Sequence, residues 1–280
     1  MHWDDPQVAL ATMHGKERVL APALATVGLQ VRPARVDTDV LGTFSGERER
    51  TGTPREVVLA KARLGMEATG CRLGLATEAS FGPDPVLGLA PLHQELIAFV
   101  DNLHGQVLVL GLATHETNWA SVVIDQPDQA EPLLRTCGFP EHAVLVRPNA
   151  MEPGLGVSKG LRSRPAVMQA IQELRLLSRD GLVRVEPDMR AHCNPTRMRH
   201  VAALGNRLAQ RLACLCPRCG VPGFGCTALV AGLPCAECGL PTSLSRGENH
   251  ACGVCGHEEQ RSRADGLAVA DPGCCAWCNP

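Results

Sequence analysis

The stretch that decides how this chain is built runs from Cys216 to Cys278. It reads Cys216-Pro-Arg-Cys219-Gly220, Cys235-Ala-Glu-Cys238-Gly239, Cys252-Gly-Val-Cys255-Gly256 and Cys275-Ala-Trp-Cys278. Two residues between cysteines let one tight turn aim both thiolates at a tetrahedral metal, and a second such turn closes the shell. Fifteen residues separate Cys219 from Cys235 and nineteen separate Cys255 from Cys275, spacings that read as zinc sites. The expectation is a tandem zinc-ribbon domain over residues 214–280 holding two structural Zn2+ ions through these eight cysteines. Sequential pairing is expected, because each short loop then closes at lower entropic cost than in an interleaved arrangement. A four-thiolate shell leaves no open position, so this segment is expected to hold structure together and perform no chemistry.

Working outward, the 280 residues suit one large domain followed by this small one. Hydrophobic residues make up 45%, enough for a sizeable core, while aromatic residues are only 3% and Tyr is absent. No apolar run is long enough to span a bilayer. The first twenty residues include Asp4, Asp5 and Glu17 and lack the basic-then-apolar order of a secretory leader. Fourteen cysteines clustered as Cys-x-x-Cys in such a chain point to zinc in a reduced, cytoplasmic setting rather than to disulfides. The net charge is −2. The tail carries Arg218, Arg246, Arg261 and Arg263 against Glu237, Glu248, Glu258, Glu259, Asp265 and Asp271. It therefore has no basic stripe for phosphate backbones, and nucleic-acid binding is disfavoured.

Residues 1–213 read as an α/β domain, a mixed β-sheet with flanking helices. Val8 to Thr12 is a strand running into Met13-His14-Gly15-Lys16 and a helix. Gln30 to Val36 is a second strand. A polar loop over 37–55 ends at Thr53-Pro54, an N-cap and first helical residue, and the helix it starts runs to about Thr69 before Gly70. Arg72 to Ala76 is a strand followed by Glu78. Glu95–Asp101 and Gln106–Leu112 form a hairpin signal. A short helix near 129–136, a strand at 143–147, a helix at 165–177 and a strand at 182–186 follow. Asn194-Pro195 then caps a last helix, with Met198, Val201, Leu204, Leu208 and Leu212 at spacings of three and four.

Three polar clusters compete for chemistry: Thr12/His14/Lys16, then Glu47/Glu49/Arg50 with Glu78, then Asp188/Arg190/His192/Arg197. The bland reading of each residue is a cap, an ion pair or a solvated face. Position argues further, since ligands in open α/β sheets sit beyond the carboxyl ends of strands, and a strand-turn-helix presents free N–H groups to an anion. Carboxylates near a lysine-bearing turn are the parts needed to hold Mg2+ and a polyphosphate. The Asp188–Arg197 stretch has two readings of equal weight. One is an anion site at a helix start, with His192 as acid or base. The other is a buried Asp188–Arg190 ion pair fixing the junction. Cys71, Cys137 and Cys193 read as core thiols, and Cys214, Cys226 and Cys274 as spare cysteines near the metal.

Ala11-Thr-Met-His-Gly-Lys16, Glu49-Arg50-Thr-Gly52 and Leu75-Ala-Thr-Glu78, in that order, resemble the inosine/xanthosine triphosphatase superfamily over roughly the first 120 residues. That superfamily hydrolyses non-canonical purine nucleoside triphosphates to monophosphate and pyrophosphate with Mg2+. The resemblance implies that Thr12 and Lys16 face phosphate while Glu49 and Glu78 hold Mg2+ or Mn2+. Met13 stands where the family carries Asn, and no Tyr is present to stack on a base. From about Ala11 to Pro280 the chain also resembles the bacterial family called domain of unknown function 6671. The shared stretches are His14-Gly-Lys-Glu17, Gly42-Thr-Phe-Ser-Gly-Glu47, Ser80-Phe-Gly-Pro83, Asp188-Met-Arg-Ala-His192, Asn194-Pro-Thr-Arg-Met198 and Trp277-Cys-Asn-Pro280; that resemblance implies no activity.

The leading expectation is a metal-dependent phosphohydrolase acting on a nucleotide or another phosphorylated small molecule. Its candidate catalytic residues are Lys16, Glu49, Glu78 and His192, with Thr12, Lys16, Arg190 and Arg197 as ligand-binding groups. The rival is a non-enzymatic adaptor whose zinc tail docks a protein partner.

Overall fold

The structure is a computed structural model that describes residues 3–42, 52–150 and 156–280. The chain divides into two compact units. The first comprises residues 1–103 and 109–209, and the second residues 104–108 and 210–280.

The first unit opens with β1 (Gln7–Ala11), α1 (Glu17–Ala25) and β2 (Gln30–Ala34). Next come α2 (Pro54–Thr69), β3 (Leu73–Pro83), β4 (Pro91–Asp101) and β5 (Gln106–Thr114). The strand order is β2-β1-β3-β4-β5. β1 runs parallel to β2 and β3, whereas β3 and β4 are antiparallel through eleven paired positions from Leu73↔Asp101 to Pro83↔Pro91. The sheet is thus mixed, as expected. The order reverses direction at β1, and its carboxyl end is the place where α/β sheets leave a ligand crevice.

α2 begins where its sequence dictates. Thr53 Oγ1 accepts from the Glu56 backbone N–H while the Glu56 carboxylate accepts from Thr53 N–H, a closed capping box with Pro54 as first residue. The helix stops at Gly70, whose φ of 73° is open chiefly to glycine. Val58, Ala62 and Met66 pack on Ala9, Ala76 and Ala98 of the sheet. The approach is close. A Cβ on Gly74 of β3 would sit 2.6 Å from Met66 Cγ and 3.0 Å from the Ala62 carbonyl.

A second, wholly antiparallel sheet has the order β6-β9-β7-β8. Its strands are β6 (Val122–Ile124), β7 (Val144–Pro148), β8 (Ser158–Leu161) and β9 (Val183–Pro187). α3 (Glu131–Thr136) and α4 (Arg164–Arg175) cover it through a core containing Leu134, Val144, Val167, Ile171 and Val185. The sequence reading missed β6 and β8, each four residues or fewer, too short to show a period.

α5 (Pro195–Ala213) follows, with Val201, Leu204 and Leu208 fully buried. Asn194 caps it, its Oδ1 accepting from the Arg197 N–H at 3.0 Å. No helix among the described residues is long and apolar enough to cross a membrane.

The second unit is one three-stranded antiparallel sheet of β10 (Gly225–Ala231), β11 (Ser245–Ala251) and β12 (Glu258–Ser262), in that order.

Candidate functional site

In the second unit the eight cysteines form two tetrahedra, and the pairing is interleaved. Cys216, Cys219, Cys252 and Cys255 make one group, and Cys235, Cys238, Cys275 and Cys278 the other. This corrects the expectation of sequential pairing. The β10–β11 hairpin carries the knuckle before β10 against the knuckle after β11, and the return through β12 sends the last knuckle toward the turn end of the hairpin. Interleaving roughly doubles each loop between partner knuckles, which costs only about 0.6 kcal/mol per loop; a ladder of strand hydrogen bonds outweighs that. Four thiolates about 2.3 Å from a tetrahedral Zn2+ lie about 3.8 Å apart. The sulfurs here are 3.6 and 3.7 Å apart in the first group and 3.9 and 3.7 Å in the second. The donor set therefore fits Zn2+, with Cys274, the spare neighbour of Cys275, left out of the shell. Few apolar side chains of this unit are buried, Phe224, Leu233 and Ala270 among them, beside the ligand cysteines Cys216, Cys235, Cys252 and Cys275, so two structural ions would supply much of its folding free energy.

In the first unit the charged groups collect on β3, β4, α1, α2 and α5. Strand alternation sorts them by face. Glu78 does not follow a strand, as the sequence reading expected; it lies mid-way along β3, which extends to Pro83. Its register partner is Leu96, and both line a cavity of about 450 Å³ with Thr53, Arg55, Ser80 and Gln94. Lys61 of α2 reaches Glu78 on this side, Nζ to Oε2 2.6 Å. Thr77, Ala79 and Phe81 point the other way, with Ile97, Glu95 and His93 opposite them.

On that second face Glu95 and Arg197 form a fully buried pair. Arg197 Nε donates to Glu95 Oε2 at 2.9 Å and Nη2 donates to Oε1 at 3.1 Å. Its Nη1 donates to the Met189 carbonyl at 2.7 Å. Burial alone would raise the Glu95 carboxyl, but the Arg197 guanidinium and the His93 hydrogen bond outweigh it and hold it well below the usual carboxylate range. His93 stacks on Phe81 at 4.4 Å, and its Nδ1 lies 2.9 Å from His200 Nδ1. Arg197, expected to bind a ligand, is thus engaged inside the protein.

Lys16 reaches the same face from the turn after β1, donating to Thr77 Oγ1 at 2.7 Å and to the Thr77 carbonyl at 3.3 Å. It is 6% exposed. Burial first, then the Arg197 charge, lowers its pKa from 10.5 to about 7. Three other cations nearby each have a carboxylate: Lys61 with Glu78, Arg197 with Glu95, Arg190 with Asp188. Among the described residues none lies within ion-pair distance of Lys16. Lys16 and Glu78, expected to share one cleft, belong to opposite faces of β3. Glu49, with Glu47 and Arg50, falls outside the described residues.

The Asp188–Arg190 ion pair is present. Arg190 Nη2 donates to Asp188 Oδ2 at 2.6 Å, and Gly160 N–H donates to the same oxygen at 3.0 Å. Asp188 is buried, and the Arg190 contact holds its carboxyl below the usual range against the effect of burial. The neighbouring His192 stacks on His14 with ring centroids 4.7 Å apart. Burial, followed by Lys16, His192, Arg197 and Arg190, lowers the His14 pKa to about 3. Among the described residues, His14 Nδ1 is buried without a hydrogen-bond partner. A cavity of about 390 Å³ lies at the carboxyl ends of β1 and β2, lined by Thr12, Met13, Gly15, Glu17, Arg35 and Asp37 among others.

The sequence reading missed Lys61, Thr77, Glu95, His93 and His200. Lys61 carried a signal, since it falls four residues after Val57 and one before Ala62, inside the buried stripe of α2. Glu95, two residues before the buried Ile97, sat on the inward phase of β4.

Comparison with curated proteins finds no match. A solved nucleoside-triphosphatase / dITP/XTP pyrophosphatase from Mycobacterium abscessus is similar over 38% of this chain and 70% of that chain, at 15% identity and a TM-score of 0.28; a likeness of that size carries no argument about activity. Residues 61–280 match the model of the family described as Domain of unknown function (DUF6671). That match covers the α/β unit from Lys61 onward and the whole cysteine-rich unit, and the chain belongs to this family.

Proposed function

We propose that the α/β unit is a phosphohydrolase acting on a nucleotide or another phosphorylated small molecule, whose phosphates lie at the Thr12–Lys16 turn. The observation that carries this is Lys16, a buried lysine that has no carboxylate partner among the described residues. A buried ammonium without a counter-ion is costly, and an anionic ligand removes that cost. The turn lies at the carboxyl end of β1 where α1 starts, so backbone N–H groups and the helix dipole favour the same charge. A cavity of about 390 Å³ beside this turn, lined by Thr12, Met13, Gly15 and Arg35 but not by Lys16, is within the range of small-molecule sites.

Glu78 would be the carboxylate offered to Mg2+ or Mn2+. Among the described residues no three-ligand group forms around it, and Lys61 already neutralises it. The fit is poor for an ion that takes six oxygen ligands, so no step is routed through a metal. His192 next to His14 remains the acid–base candidate, its pKa lowered by burial and Arg190 so that the neutral ring dominates near pH 7.

The test is turnover of a nucleoside triphosphate panel including ITP and XTP, with and without Mg2+ or Mn2+, together with binding of pyrophosphate and tripolyphosphate. Release of phosphate or pyrophosphate that is lost in Lys16→Met supports the reading. Neither binding nor turnover by zinc-loaded protein defeats it. The adaptor reading has one supporting observation: in an aromatic-poor chain, Trp277 of the zinc unit is 76% exposed. A turnover-negative protein would leave that reading in place.

A further inference from the structure

We propose that the zinc unit holds a third divalent-metal site, formed by Cys226, Glu248 and His250, with an open coordination position that the two tetrathiolate sites lack. One ligand atom from each of these residues lies within 4.8 Å of the others. The strands build the cluster. Cys226 of β10 and His250 of β11 are direct register partners, and Glu248 lies two residues before His250, so it projects from the same face. The register slips between Cys226 and Ala228, and such a bulge re-aims the side chain beside it.

The bland reading is a surface Glu–His hydrogen bond beside a spare thiol. His250 Nε2 and Glu248 Oε2 are indeed 2.7 Å apart. That reading does not explain why a thiol, an imidazole and a carboxylate converge around a histidine side chain only 13% exposed. The ion would take the place of the Nε2–Oε2 hydrogen bond, with His250 Nε2, a Glu248 oxygen and Cys226 Sγ as its three ligand atoms. The neighbouring cations do not fill the place of an ion. Arg211 donates to the carbonyls of Gly223 and Cys226 at 2.7 and 2.6 Å, and Arg261 donates to Glu259.

One thiolate, one imidazole and one carboxylate suit a borderline ion such as Zn2+ or Co2+ and balance its charge. Three protein ligands leave a position for water or an incoming donor. Cys226 is exposed, so this ion would exchange with solvent while the two closed sites retain theirs.

The experiment starts from the full chain purified with its tightly bound zinc and adds Co2+ or Zn2+ alone. The expected result is two tightly held ions per chain, rising to three on titration, the third giving a cobalt spectrum with one thiolate ligand rather than four. The third equivalent should also slow alkylation of Cys226 by about tenfold or more while the exposed Cys214 and Cys274 react unchanged. Cys226→Ser and His250→Asn should each stop at two ions. A wild-type protein that stops at two, or whose Cys226 alkylates equally fast with and without added metal, overturns the proposal. So does a third ion that persists in both variants. The alkylation arm uses wild-type protein, so it decides the matter even where a variant loses the tetrathiolate sites.

Discussion

Lys16 spans from the turn after β1 to β3 and donates to Thr77 Oγ1 at 2.7 Å, and among the described residues this neutral hydroxyl and its backbone carbonyl are its only hydrogen-bond partners. Every other buried cation near it has a carboxylate. Most of what can be tested about the α/β unit follows from that imbalance.

Anion binding should depend on pH through Lys16. Its folded pKa is lowered to about 7 from 10.5. Between those values the unfolded chain binds the proton and the folded chain does not, so stability of the free protein rises with pH across that window. An anion reverses the preference by favouring the ammonium. Pyrophosphate affinity measured by calorimetry should therefore be highest below about pH 7 and fall by up to tenfold per pH unit above it. Lys16→Met should flatten the profile. A profile unchanged by that substitution would show that Lys16 does not meet the ligand.

Thr77→Val should test positioning separately from charge. It keeps the shape and removes the hydroxyl that Lys16 donates to. The expected stability loss is about 1 kcal/mol by urea unfolding, with the pH dependence of pyrophosphate binding preserved but its affinity reduced.

The Glu95–Arg197 pair should be among the costliest contacts to break. Both side chains are 0–1% exposed. Glu95→Gln or Arg197→Met leaves an uncompensated buried charge and should cost about 3–5 kcal/mol in chemical denaturation, whereas the double change Glu95→Leu/Arg197→Met should recover much of it. The carboxyl sits below its ordinary 4.5 in the folded state. Its contribution is thus complete above about pH 4.5 and is lost as pH falls further.

Interleaved zinc pairing gives a sharp thiol-protection pattern. In Cys216→Ser, alkylation followed by mass spectrometry should expose Cys219, Cys252 and Cys255 together and leave Cys235, Cys238, Cys275 and Cys278 protected. Sequential pairing would instead expose Cys235 and Cys238.

Chelation should melt the second unit first. Its buried core has only a few apolar side chains, such as Phe224 and Leu233, beside ligand cysteines, and structural zinc contributes about 10–16 kcal/mol of apparent binding free energy in small zinc modules. Limited proteolysis in the presence of a strong chelator should cut within residues 214–280 while α4 and the sheets of the first unit stay resistant. Equal resistance with and without chelator would mean that the ions are not structural.

Local chemistry decided a great deal here. Thr53-Pro54 and Glu56 announce α2, Asn194-Pro195 announces α5, and four Cys-x-x-Cys knuckles announce two closed metal sites, because each depends on neighbours within a few residues. Most helices and the longer strands could be read for the same reason. The end of β3 was misplaced because Glu78-Ala-Ser-Phe-Gly-Pro reads as a loop, and only pairing with Pro91–Asp101 holds it extended.

The remainder depends on distance along the chain. Whether Lys16 and Glu78 share a cleft is set by the parity of β3, in which Thr77 and Glu78 face opposite sides. Which carboxylate neutralises Arg197 is set 102 positions away. Which knuckles share an ion is set by the β10–β11 hairpin. The sequence by itself determined the residue types that demand partners: eight thiolates, three buried cations, Lys16, Lys61 and Arg197, and the carboxylates Glu78 and Glu95. Tertiary structure alone decided the partners, because burial turns a modest surface attraction into a requirement, and the packing of sheets and helices chose which groups were buried together and left Lys16 beside Thr77.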